Sequence, residues 1–303
     1  MSNRLTKYDF FIVFMIILSF ACLIGGFFIG ANYARSKAEA EFNQYIAEVS
    51  KYEKESSLLN YAHTDFVSYY HQVYLPFKEF RHLYLSQIEA GIHSGEYSNL
   101  AANASSLRKE TEKIKKEIEQ AQIPHTSPLL QSSQKELVRS LISFEQGLDK
   151  LSQLARDNVG QVAAFLHDSE EFAAGKRHWL KGQTQFYEAL LFWESFFVTE
   201  EKPQLIDNPS QYTLNQWVHL GFHQKNELIA KLLEELETVT LYNPEDVTVY
   251  IDSLAQHHHD GNQRVAEALK FLHASNSIRE GNFIEKIKDY TSVELPMILL
   301  FSN

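Results

Sequence analysis

The sequence predicts an all-α protein in which a single N-terminal membrane-crossing helix continues into an extracytoplasmic antiparallel helical bundle. Apolar residues recur at alternating intervals of three and four along most of the chain, the period of helices with one packed edge. Twelve glycines and seven prolines in 303 residues are too few for a turn-dense β architecture. One uncharged run near the start has the length of a membrane span.

Residues 1–9 form a short tail with Arg4 and Lys7, and residues 10–34 the transmembrane signal anchor. From Phe10 to Ala31 there are 22 residues without a charge. At about 1.5 Å per residue these cover a hydrocarbon core of about 30 Å. The apolar region of a cleavable signal peptide is much shorter, so the anchor is expected to stay attached. Arg35 and Lys37 nearly balance Arg4 and Lys7, and the charge rule alone does not orient the helix. The shortness of the leading tail favours an N-terminus inside and the bulk of the chain outside, at a bacterial plasma membrane. Cys22, Gly26, Gly30 and Ala34 recur every fourth residue and offer a face of small side chains for self-association, as in G-x-x-x-G pairs. Glycine and alanine are also common in membrane helices with no such role.

Residues 35–198 are expected to form a long-helix bundle. Ala38, Phe42, Tyr45, Val49, Tyr52, Ser56, Leu59, His63, Phe66, Tyr70 and Val73 make a first seam, unbroken by proline or glycine, so the anchor would run straight into a rigid helix. Pro76 permits a kink or a fresh start, and the next helix ends near Ser94-Gly95. A second seam runs Tyr97, Leu100, Ala104, Leu107, Thr111, Ile114, Ile118, Ala121, with a strongly charged outer face. After a connector ending at Pro128, capped by Thr126 or Ser127, the pattern resumes at Leu130, Leu137, Leu141, Phe144, Leu148 and Leu151. Phe172, Trp179, Phe186, Leu190, Trp193 and Phe197 form an aromatic stripe that belongs in the core.

Residues 199–212, with two prolines, read as a linker, and 213–303 as a C-terminal helical part of the same bundle or a sub-domain. There Leu214, Trp217, Leu228, Leu232 and Leu236 suggest one helix, and Asn243-Pro244-Glu245-Asp246 the capped start of another. Val265, Leu269 and Leu272 continue the pattern up to Gly281.

The net charge of −11 is unevenly spread: the first 37 residues carry four basic side chains against Asp9, so the remainder is more acidic still. Such a body is repelled by nucleic acid. The only cysteine lies in the anchor, which excludes an intramolecular disulfide and leaves no thiol nucleophile outside the membrane. No phosphate-binding glycine loop and no G-x-S-x-G elbow occurs. Thirteen histidines make metal binding worth testing. His219, His223 and Glu227 are spaced by four, which on a continuous helix would align two imidazoles and a carboxylate toward one zinc or iron ion. The H-E-x-x-H pattern is not met, because Leu220 stands where its glutamate belongs. Glu79 and His82 match one E-x-x-H without a second copy, and His257-His258-His259-Asp260 fits a helix end better than a ligand set. His63 occupies a seam position where a buried imidazole would respond to pH.

The sequence thus points to a membrane-anchored extracytoplasmic binding or interaction module of sensor or scaffold type, without catalysis and without a cofactor. Its expected contacts are the membrane through residues 10–34 and a protein partner or a second copy. The rival reading is a metal-dependent envelope enzyme using His219, His223 and Glu227.

Overall fold

The computed structural model describes residues 61–94, 99–154, 159–199, 202–257, 262–290 and 293. The anchor, with Cys22, Gly26, Gly30 and Ala34, and the first seam up to Leu59 lie outside the described residues. Among the described residues no helix is long and apolar enough to cross a membrane. All regular elements among these residues are helices, with no strand and one isolated bridge between Thr213 and Arg264.

Tyr61 and Ala62 are extended, and helix α1 (63–94) starts at His63 with Asp65 in its first turn, where a carboxylate suits the helix dipole. The seam foreseen from Ala38 to Val73 is therefore not one continuous helix. Tyr61 instead packs its ring against Phe192 and Phe196. Within α1 two turns, Tyr70–Tyr74 and Leu85–Glu89, are π-helical, closed by the amides of Leu75 and Ala90 bonding five residues back. Pro76 lacks an N–H, and its ring falls against the carbonyl of Gln72, inside the first wide turn. The wide turn absorbs the proline and the helix neither stops nor restarts.

Helices α2 (Leu100–Gln120), α3 (Pro128–Gln153) and α5 (Glu170–Glu194, extended by a π turn at Ser195–Thr199) complete an up-down-up-down bundle with α1, and short α4 (Val159–Asp168) links α3 to α5. Both later seams are buried as expected, from Leu100 to Ala121 and from Leu130 to Leu151. Of the aromatic stripe on α5, Phe172, Trp179, Phe186, Leu190 and Trp193 are buried, whereas Phe197 is exposed. Ser169 caps α5 by accepting the amide of Phe172.

Helices α3 and α5 approach closely, and small residues at every seventh position allow it. Ser133 and Ser140 of α3 donate their hydroxyls to the carbonyls of Gly182 and Gly175 of α5 at 2.6 and 2.8 Å. A Cβ at Gly182 would meet Leu137 at 2.8 Å, one at Gly175 the Phe144 ring at 2.9 Å, and one at Gly147 the Phe172 ring at 3.0 Å. The backbones approach because there is nothing between them.

The C-terminal part has its own core around Trp217, Leu228, Leu232, Val247, Ile251 and Leu269, and Leu180 of α5 belongs to it. Its helices are the single turn α6 (Leu214–Trp217), α7 (Phe222–Glu235), α8 (Pro244–His257), α9 (Val265–Ala274) and α10 (Asn282–Lys286). The helix expected to join Trp217 to Leu236 is broken at 218–221, where Gly221 restarts it. Helix α9 ends before Gly281, at Ala274, through Asn276 in the left-handed region (φ 50°), and Gly281 (φ 82°) precedes α10 instead.

Candidate functional site

The break at 218–221 separates the three foreseen metal donors. His219 is exposed in the turn after α6, while His223 and Glu227 are buried on α7. A spacing of four aligns side chains only along an unbroken helix, so His219 does not share the face of the other two. His223 lies edge-on to Trp193 and Phe222. The oxygens of Glu227 accept the Ile206 amide at 3.1 and 3.2 Å, and one pairs with Lys231 at 2.7 Å. Lys231 also reaches Glu188 at 3.1 Å and donates to the Ile206 carbonyl at 2.8 Å. Burial pushes the Glu227 carboxyl up, against Lys231 and the Ile206 amide, which hold it down. These groups tie the 202–212 connection onto α7, so Ile206 is buried within a segment that reads as a free linker. Among the described residues no three His, Cys, Asp or Glu side chains are grouped to hold a metal ion.

The remaining candidates disperse as well. Glu79 and His82 are exposed on the outer face of α1, and His63 is half-buried at its first residue rather than in the core. His257 closes α8, and His258 to Asp260 lie outside the described residues.

The structure brings together a different set, where α1 and α5 of the bundle meet the start of α8. Arg81 on α1 is 4 % exposed. Its Nη1 donates to Asn243 Oδ1 at 2.8 Å and its Nη2 to the Leu241 carbonyl at 3.0 Å. Tyr74 donates to the same Asn243 oxygen at 2.9 Å. Asn243, foreseen as a cap for α8, thus spends its side chain on the bundle, while its amide is taken by Asp246 Oδ2 at 3.0 Å. Asp246 Oδ1 accepts the Phe283 amide at 2.9 Å, fastening α10. Beside it, Tyr187 of α5 donates to Glu245 Oε2.

Glu245 and Asp246 are adjacent acids, 2 % and 1 % exposed. Burial, then the neighbouring Asp246 charge, pushes the Glu245 carboxyl up to about 8, although Tyr187 and Arg81 pull the other way. Burial also raises Asp246, opposed by the amides of Phe283, Asn243 and Gly281. Both carboxyls are thus pushed toward their protonated forms by burial. The guanidinium Nε of Arg81 has no hydrogen-bond partner. A buried donor left unmade costs about 1–3 kcal/mol, more when it is charged.

Arg81 also lines a narrow slot between α1 and α5, with Leu137 of α3 behind it. Tyr69, Tyr74, Phe77, Trp179 and Phe186 form its walls, and the free space is about 20 Å³, room for about one water. Phe77 meets Trp179 edge-on at 5.6 Å, and Tyr69 stacks on Phe186 at 5.4 Å. The hydroxyl of Tyr69 is 2.5 Å from Ser133 Oγ, which ties the slot to the close α3–α5 pair.

Sequence reasoning placed Glu245 and Asp246 at a helix start but did not find them buried, and it passed over Arg81. Arg81 stands one turn after buried Phe77, and that spacing placed it on the packed side of α1. Compared with protein-family models, curated proteins and solved structures, the chain matches none.

Proposed function

We propose that the protein is a membrane-anchored extracytoplasmic binding module of sensor or scaffold type, acting without catalysis. The carrying observation is the uncharged run Phe10 to Ala31 preceding an acidic, wholly helical body. The architecture of that body supports a scaffold role: its buried ionic groups fasten helices to one another into a rigid bundle. The face of Cys22, Gly26, Gly30 and Ala34 would pair the anchor with a second copy or with a partner in the membrane.

Topology is tested with the native cysteine replaced (Cys22→Ser) and a single cysteine introduced either at Ser2 or at exposed Glu119. A membrane-impermeant maleimide is expected to label the Glu119→Cys protein in intact cells and the Ser2→Cys protein only after lysis, both chains staying with the membrane pellet in alkaline carbonate. Labelling of Glu119→Cys only after lysis, or release of the intact chain into the supernatant, would refute the reading.

A further inference from the structure

We infer that the apolar run at residues 295–301 is a strap of this chain's own, seated along the aromatic edge that joins the start of α7 to the end of α5, from Tyr290 toward Phe197. The inference concerns what covers that edge and stands apart from the anchor reading.

The run itself lies outside the described residues, but its chemistry is plain from sequence. It reads LPMILLF, without a charge or a hydrogen-bonding side chain, between Glu294 and Ser302. A helix needs about 20 apolar residues to cross a bilayer, so the run is too short to be a span. Burying such side chains is favourable by about 25 cal/mol per Å² of apolar surface, and the run therefore seeks a cover.

A cover is within reach. Val293 packs against the bundle core, and its amide donates to the Tyr290 carbonyl at 3.0 Å. From Tyr290 a row of neighbouring rings leads away: Phe222 at 5.2 Å from Tyr290, His223 at 5.5 Å from Phe222, Trp193 at 6.0 Å from His223, and Phe197 at 6.5 Å from Trp193. The row thus ends on the π turn of α5, where Phe197 is 51 % exposed and Phe196 and Val198 are half-buried. At the near end Ile287 and Tyr290 are also half-buried. The eight residues from Val293 to Phe301 cover about 26 Å when extended, enough to follow the whole row.

Proximity selects the occupant. A segment tethered this closely has an effective concentration in the millimolar range at the edge, which a separate partner does not match. The tail also leaves the body beside the row, so no other element has to move aside. One apolar run without charge then meets one apolar edge, and each removes the other from water.

The test is a cysteine pair in the full-length chain carrying Cys22→Ser, in lipid vesicles at a high lipid-to-protein ratio. Phe197→Cys with Leu300→Cys is expected to close under mild oxidation into an intramolecular disulfide, seen as a faster band on a non-reducing gel. Asp168→Cys with Leu300→Cys is expected to stay open, because exposed Asp168 lies at the opposite end of α5, about 40 Å along the helix. A chain ending at Val293 removes the strap without touching its seat. Its tryptophan emission is expected to move to longer wavelength, since Trp179 and Trp217 remain in their cores while Trp193 is uncovered. Should the shortened chain unfold, the cysteine pair carries the test. No disulfide in the first pair, a disulfide-linked dimer in its place, equal closure of the control pair, or an unchanged emission maximum in the folded shortened chain would each overturn the proposal, the dimer by assigning the run to a second copy. The gel reads a distance within one chain, so its failure and the failure of the topology experiment are separate results.

Discussion

Glu245 is the residue whose environment departs furthest from what its type prefers. Its folded-state value of about 8 lies above the ordinary 4.5, so between these limits the folded protein holds a proton that the unfolded chain has given up. The stabilisation is complete below about pH 4.5 and is lost as pH climbs toward 8, opposite in sign to a carboxylate held low by an ion pair. Glu136 supplies that contrast: burial alone would raise it, but His178, Lys181 and Arg139 outweigh burial and hold it below the usual range. Replacing Glu245 by Gln keeps an oxygen for Tyr187 and removes the ionisable proton. Urea titrations are expected to show Glu245→Gln losing much of the wild-type decline between about pH 5 and pH 8 and exceeding wild type by on the order of 1–3 kcal/mol at about pH 9. Equal slopes in the two proteins would show that Glu245 is already ionised when folded.

At the level of the helix, the α3–α5 pair depends on the absence of side chains at three glycines. Adding a methyl at Gly182 forces Leu137 and the Ser133 backbone aside, and overpacking of this kind costs typically about 1–3 kcal/mol. Gly182→Ala is expected to lower the urea midpoint accordingly, with an unchanged slope. Ser133→Ala acts differently. It leaves the buried Tyr69 hydroxyl and the Gly182 carbonyl short of a partner, a loss of about 1–3 kcal/mol that Ser133→Ala/Tyr69→Phe should partly restore in a double-mutant cycle. The seven-residue recurrence of Ser133, Ser140 and Gly147, opposite Gly175 and Gly182, was present in the sequence. It escaped notice because a search for apolar seams counts small polar residues as outer face. The seams themselves were legible: every position named on α2 from Leu100 and on α3 from Leu130 is buried. Periodicity failed where local backbone chemistry overrode it, at Tyr61-Ala62, at Gly221 and at Asn276, and the first two of these breaks undid the long first seam and the His219 site.

For the molecule as a whole, α5 contributes to both cores, and Arg81, Tyr74 and Tyr187 of the bundle hold the first turn of α8. The described chain from 61 onward belongs to one compact unit, although the sequence allowed a separate sub-domain after 212. Unfolding should accordingly be a single transition. Single-tryptophan variants that keep Trp179 in the bundle or Trp217 in the C-terminal core are expected to report the same midpoint, and Arg81→Ala is expected to separate the two. Divergent midpoints in the otherwise native chain would mean that the two cores melt independently. Sequence alone did not show this joint, because burial of Glu245 and Asp246 arises from two distant segments closing over a helix start, and no window of neighbouring residues contains both.

The widened turn at Tyr70–Tyr74 bears on how this chain tolerates a change of length. A π turn closes over one residue more than an α turn, so the stretches on either side keep their facing while the extra residue is stored between them. Removing exposed Gln72 should let the turn tighten and leave Phe66 and Phe80 directed inward, at the cost of placing Pro76 in a regular helical turn, about 3 kcal/mol, read as a clear but bounded drop in melting temperature. Removing Glu110 from the regular α2 has no such reserve: every later side chain on that helix is swung by about 100°, and Ile114 and Ile118 leave the interior. Shortening by one residue is thus expected to be survivable at one address and ruinous at the other.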